Sequence, residues 1–115
     1  MLAEQEPIVA IATAPGAGAI AVIRISGKGS LNLVDQVFEG KRKLAETAGN
    51  SIVYGFIKDG FERIDEVLIS VFRSPFSYTG EDTAEISCHG SVFIQKRVLE
   101  LLIEKGARMA GPGEF

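Results

Sequence analysis

Asp59-Gly60 sits between two apolar-rich runs, Ser51 to Lys58 and Arg63 to Phe72. The dipeptide supplies the positive φ angles of a tight hairpin turn, and both flanks read as strands. An antiparallel hairpin at mid-chain obliges the remaining segments to extend its sheet or to cover one of its faces.

Most of them read that way. Ile8 to Thr13 and Ile20 to Ile25 are short runs rich in Ile, Val and Ala, separated by the breaker-rich Ala14-Pro15-Gly16-Ala17-Gly18-Ala19, so two strands with a loop between them are predicted. Ser30 precedes an apolar stripe at Leu31, Val34, Val37 and Phe38, spacing that predicts a helix capped by the serine and stopped at Gly40. Lys41 to Asn50 is polar and without period, a surface loop. Ser74 to Asp82, with Pro75 and Gly80, is a loop delivering the strand Thr83 to Cys88, whose alternation sets Ala84, Ile86 and Cys88 opposite Thr83, Glu85 and Ser87. Beyond His89-Gly90, Val92 to Glu104 carries apolar residues at helical spacing with Gly106 as C-cap, and Ala107 to Ala110 can form a last short strand. The elements mix without strict alternation, which predicts an α+β fold with helices packed on a mixed β-sheet, and no internal repeat.

At 115 residues the chain is expected to form one compact domain, 1–115, burying about two-thirds of the surface of its unfolded form. An apolar fraction of 46% with 23% charged residues suits a soluble globular protein without a membrane span. The longest uncharged stretch, Pro7 to Ile23, is broken at Thr13-Ala14-Pro15-Gly16 and follows no basic segment, so a cytoplasmic location is expected. Cys88 stands alone, which excludes an internal disulfide and a cysteine metal framework. With a net charge of −3 and Lys41-Arg42-Lys43 as the main basic run, the segment alone should not grip RNA strongly.

Two glycine patterns imitate nucleotide sites. Gly16-Ala17-Gly18-Ala19-Ile20-Ala21 matches G-x-G-x-x-A, but strand-like residues follow where a dinucleotide fold needs a helix. Gly27-Lys28-Gly29-Ser30 resembles the end of a phosphate loop, yet Val22 stands where the first glycine is required and Gly29 where magnesium needs Ser or Thr. Cys88 and His89, adjacent in a strand, point to opposite faces and are poorly placed to act together as nucleophile and base. A buried thiol and a structural hydrogen bond at the strand-to-helix turn are the readings for these two, with ligand contact by His89 as the alternative.

Charged positions inside strands say more. Arg24 shares a face with Ile20 and Val22, so it must reach solvent or meet a polar partner, because an unpaired buried charge is costly. Its planar guanidinium suits a carboxylate or carbonyl-rich ligand, and an internal salt bridge is an equal alternative. Glu85, with Thr83 and Ser87, lies on plain solvent-facing surface or on the floor of a cleft. There a carboxylate could accept parallel hydrogen bonds from an amino-heterocycle such as a pterin.

Several blocks, taken in order, resemble one family from end to end. They are Ile11-Ala12-Thr13-Ala14-Pro15-Gly16-Ala17-Gly18, Ala21-Val22-Ile23-Arg24-Ile25-Ser26-Gly27, Ile64-Asp65-Glu66-Val67, Ser77-Tyr78-Thr79-Gly80-Glu81-Asp82, Glu85-Ile86-Ser87-Cys88-His89-Gly90, Leu99-Glu100 onward to Gly106-Ala107-Arg108, and Pro112-Gly113-Glu114-Phe115. The sequence is similar to the N-terminal domains of the MnmE (TrmE) tRNA-modification GTPases, departing at Ala17, usually Arg, at Ala19, usually Gly, and at Ser91, often Gly. The resemblance implies a homodimeric domain, similar to the folate-binding domain of the glycine-cleavage T-protein, that binds 5-formyl-tetrahydrofolate or a related one-carbon folate, with Arg24 and Glu85 at the folate-contacting positions. It implies that such proteins continue past Phe115 with a folate-contacting lysine and a helical domain carrying a potassium-stimulated GTPase, the place for GTP, Mg2+ and K+. It implies also a flavoprotein partner, MnmG, and joint modification of carbon 5 of wobble uridine in tRNA. No catalytic residue or metal ligand is assigned within this segment. The alternatives are a pure dimerisation scaffold, and a folate-dependent transferase acting alone, which the short length disfavours.

Overall fold

The computed structural model describes residues 6–77 and 79–115; Tyr78, which belongs to the 74–82 loop and to one of the family-like blocks, lies outside the described residues. The strands are β1 (Ile8–Ile11), β2 (Ile20–Ser26), β3 (Phe38–Gly40), β4 (Ser51–Asp59), β5 (Glu62–Phe72), β6 (Thr83–His89) and β7 (Arg108–Met109). The helices are α1 (Ser30–Asp35) and α2 (Val92–Glu104), with a single 3-10 turn at Leu44–Glu46. Among the described residues the strands make one sheet in the order β3-β4-β5-β6-β2-β1-β7. All neighbours are antiparallel except β1 and β7, which run parallel. This is the expected α+β architecture.

Alternation sorts the two sheet faces. Ala21, Ile23 and Ile25 of β2, Ala84, Ile86 and Cys88 of β6, Val67, Ile69 and Val71 of β5, and Val53 and Ile57 of β4 are all buried. Ile86 lies opposite both Ile23 and Ile69, at the centre of this layer. The core helix α2 adds Val98, Leu101 and Leu102, and each fully buried side chain of this size contributes about 1.5–3 kcal/mol. Its N-terminus is capped by Ser91, whose hydroxyl accepts from the Ile94 amide at 3.0 Å. That bond gives the serine at this position a local role a glycine could not fill.

Two expectations are corrected. The first helix ends at Asp35 rather than at Gly40, and Ser30 is its first residue, preceded by Gly29 without a side-chain cap. The Ser30 hydroxyl is drawn instead to the Asp82 carbonyl at 2.9 Å. Phe38 leaves the apolar stripe and begins the edge strand β3 because its ring packs over two glycines. A Cβ at Gly55 would lie 2.6 Å from that ring, and one at Gly40 equally close. The hairpin forms as expected, but the positive φ falls on Gly60 alone, at 61°, and the turn residues are Gly60 and Phe61. Glycine at the first central position is the arrangement of a type II′ turn.

The 41–50 segment is an ordered strap. Asp35 accepts from the amides of Leu44 and Ala45 at 2.7 and 3.0 Å, satisfying donors at the start of the 3-10 turn. Arg73 then donates to the carbonyls of Ala45 and Thr47 at 2.6 and 2.9 Å. It also pairs with Asp82 at 3.4 Å, which ties the strap to the loop preceding β6.

Candidate functional site

The sheet face without helices carries the residues of opposite parity. One cross-strand row runs Ala10, Arg24, Glu85, Ser70, Ile52 across β1, β2, β6, β5 and β4. The next runs Val22, Ser87, Leu68, Tyr54. Arg24 and Glu85 are 61 residues apart in sequence and directly opposite in register, and the Arg24 Nε donates to Glu85 Oε2 at 2.8 Å. Their side chains are 24% and 26% exposed, so the pair is neither solvated surface nor core. The Phe115 ring lies over the Arg24 guanidinium, 5.6 Å from centroid to Cζ, within cation–π range.

One residue pair further along the same strands, hydroxyls replace charges. The Ser26 Oγ lies 2.6 Å from Thr79 Oγ1 and 2.9 Å from Thr83 Oγ1, a buried cluster that fastens the 74–82 loop against the end of the face. In the other direction the face opens into a cleft of about 340 Å³ lined by Ile20, Tyr54, Leu68, Ser87 and His89 among others. On this face Ile20, Ile52, Tyr54 and Leu68 stand 49–66% exposed, apolar surface of the kind that marks binding or association sites.

This charged pair on a helix-free apolar face occurs in a chain whose residues 7–115 match the family model described as GTP-binding protein TrmE N-terminus. The chain belongs to that family. Curated relatives of this TrmE N-terminal domain named tRNA modification GTPase MnmE include those of Flavobacterium johnsoniae, 51% identical over 113 residues, and Chlorobaculum tepidum, 50% identical over 112. A third, from Listeria welshimeri, is 46% identical over 112 residues. The alignments cover 95–97% of this chain and 24% of each relative, so the chain spans about a quarter of the length of the curated relatives it matches.

Other polar residues of this TrmE N-terminal domain are bound into structure. Asp65 bridges from β5 to the end of β6, accepting from the His89 amide at 2.8 Å and holding its ring Nδ1 at 2.7 Å. His89 thus makes the structural hydrogen bond expected at the strand-to-helix turn. Cys88 is buried, and desolvation together with the nearby Asp65 charge pushes its thiol up to about 11, which disfavours the thiolate at neutral pH. Tyr54 hydrogen-bonds to Glu66, which raises the phenol pKa above its ordinary value.

Neither glycine pattern makes a nucleotide site. Ile20 to Ser26 is strand, as the first pattern's reading required. Lys28 shares its surroundings with Glu6, Glu81, Asp82 and Glu114, a carboxylate-rich setting that repels a triphosphate. No helix among the described residues is long and apolar enough to cross a membrane. Sequence reading missed Phe115 and Arg73 as structural participants. Phe115 carried no periodic signal, and the place of Arg73 just past the end of β5 could not reveal which carbonyls it would collect.

Proposed function

We propose that this chain is the folate-binding and dimerising N-terminal domain, 1–115, of a cytoplasmic tRNA-modification GTPase. Its ligand is 5-formyl-tetrahydrofolate or a related one-carbon folate. The whole protein, with GTP, Mg2+ and K+ in its own GTPase module, acts with the flavoprotein MnmG on wobble uridine of tRNA. The observation that carries the reading is the meeting of Arg24 and Glu85 across β2 and β6, on the open face of the sheet.

The donor and acceptor set fits the group. Glu85 is a carboxylate on a strand floor, able to accept from the exocyclic amine and ring N–H of a pterin while still paired to Arg24. Arg24 offers a planar fork to carbonyl oxygens. Tyr54, Leu68 and Ile20 supply an apolar surface beside them, and self-association through this face would bury it and close the pocket. The folate, when bound, supplies or positions the one-carbon unit, and the residues here bind and orient it.

The 2.8 Å salt bridge also favours a second reading, a dimerisation scaffold in which Arg24 and Glu85 only pair with each other. Calorimetric titration with 5-formyl-tetrahydrofolate, beside Arg24→Ala and Glu85→Ala variants shown to be folded, separates the two. Saturable binding by the wild-type chain that both variants lose is expected. A folded wild-type dimer that takes up no folate favours the scaffold or shows that residues past Phe115 are required.

A further inference from the structure

Residues 111–115 form a turn whose contacts reach the open face of the sheet. β7 is registered on β1 by Arg108 N to Pro7 O and Ala110 N to Val9 O, both 2.9 Å. Gly111 to Glu114 then reverse direction, closed by Glu114 N to Gly111 O at 3.1 Å, with Pro112 and Gly113 at the corners and φ of Gly113 at 70°. Proline followed by a positive-φ glycine is the type II turn pattern. The Glu114 carboxylate fastens it twice, accepting from the Gly111 amide at 2.7 Å and from both terminal nitrogens of Arg108, one of them at 2.9 Å.

The consequence is where Phe115 falls. The chain crosses from the β7 edge, past β1, and lays the ring against the guanidinium of Arg24 on β2. The guanidinium is thereby held at Nε by Glu85 and set with its Cζ over the Phe115 ring, 5.6 Å from the ring centroid. Arginine has among the largest rotamer entropies of any side chain, so fixing it in the free protein removes an ordering cost that binding would otherwise incur.

We infer that the Gly111–Glu114 turn is a positioning device whose working residue is Phe115, setting the Arg24 guanidinium in one orientation before the ligand arrives. The inference rests on the folate reading above for the ligand that benefits, but the placement itself is observable without any ligand.

Two variants of this chain test it. Phe115→Leu keeps apolar bulk and removes the π face; Phe115→Tyr keeps both. Arginine side-chain NMR of the free protein should show Arg24 protons shifted upfield by the ring in wild type and Phe115→Tyr, and unshifted in Phe115→Leu. Titration with 5-formyl-tetrahydrofolate should be about two- to fivefold weaker for Phe115→Leu, and restored in Phe115→Tyr. Identical Arg24 signals in wild type and Phe115→Leu overturn the inference, as does unchanged affinity in Phe115→Leu when wild type binds. A wild-type chain that binds no folate yet shows an Arg24 shift removed by Phe115→Leu counts against folate binding by this segment alone while supporting the placement.

Discussion

Gly90 joins β6 to α2 at a point where two backbones nearly touch. A methyl group added there would lie 2.2 Å from the Gly18 carbonyl oxygen and 2.6 Å from its carbon, against 3.4–4 Å for ordinary contact. Both obstacles are backbone, so the 12–19 loop must retreat by about 1 Å, enough to take a hydrogen bond out of its working range. At risk are Gly18 N to Gly90 O at 3.0 Å, Gly90 N to Ala19 O at 3.2 Å, and the bridge from Gln95 Nε2 to Gly16 O at 3.1 Å. Gln95 is buried, so its amide loses a partner that water cannot readily replace. Two backbone bonds at about 0.5–1.5 kcal/mol each, and a partly unsatisfied amide at about 1 kcal/mol or more, oppose a gain of roughly 0.4–1 kcal/mol from a stiffer unfolded chain. Gly90→Ala should therefore destabilise by about 1–3 kcal/mol and lower the urea midpoint by about 1–2 M. Gly18→Ala is the matched control: its nearest neighbour would be Ile20 O at 3.9 Å, so the same chemistry on the other side of the contact should leave the midpoint unchanged or slightly raised. Urea unfolding followed by circular dichroism, with hydrogen exchange at the Gly18 amide, reads both. A Gly90→Ala protein with the wild-type midpoint and a protected Gly18 amide would refute the claim that this close approach clamps the loop.

The Cys88 thiol, pushed up to about 11 by burial and Asp65, should react with iodoacetamide at pH 8 about two orders of magnitude more slowly than in the unfolded chain; equal rates would show that β6 exposes it. Glu114 is held down to about 2, first by its hydrogen bonds from Arg108 and then by the Gly111 amide. A depressed carboxylate stabilises the turn above its ordinary pKa of 4.5 and loses that contribution as pH falls through about 2, so NMR signals of residues 111–115 should be unchanged from pH 7 to 4 and move together below pH 3. A transition centred near 4.5 would mean the Arg108 fork does not hold the turn in solution.

The period-two and helical patterns were legible because they report one face at a time. Ala84, Ile86 and Cys88 alternate against Glu85 and Ser87 whatever lies beside β6, and α2 announces itself by spacing and by Gly106. Phe38 was misread for the complementary reason. Its helical spacing from Leu31 and Val34 is real, but the room for its ring comes from Gly55, a residue on another strand whose role no local window contains. The Arg73 strap and the Phe115 contact are of the same kind, depending on carbonyls and guanidinium groups brought near by topology. Arg24 is legible as a charge that must reach solvent or meet a salt-bridge or ligand partner, but that Glu85 lies opposite it depends on β2 and β6 being neighbours across 61 residues of sequence.

Those two partners are not rivals. A pair that is about a quarter exposed contributes on the order of 0–1 kcal/mol, too little to account for a charge embedded in an apolar strand face by stability alone. Arg24 engages Glu85 through Nε and Oε2, and a carboxylate has about four lone-pair directions, so the ion pair can persist while an amino-heterocycle donates to the same group. Each charge-assisted hydrogen bond of that sort is worth about 1.5–3 kcal/mol, more than the pair itself. On the folate reading proposed above, the salt bridge is then the device that keeps the Glu85 carboxylate aimed across the open face. On that reading Arg24 serves the ligand twice, through its own planar guanidinium and through the orientation it gives the Glu85 carboxylate.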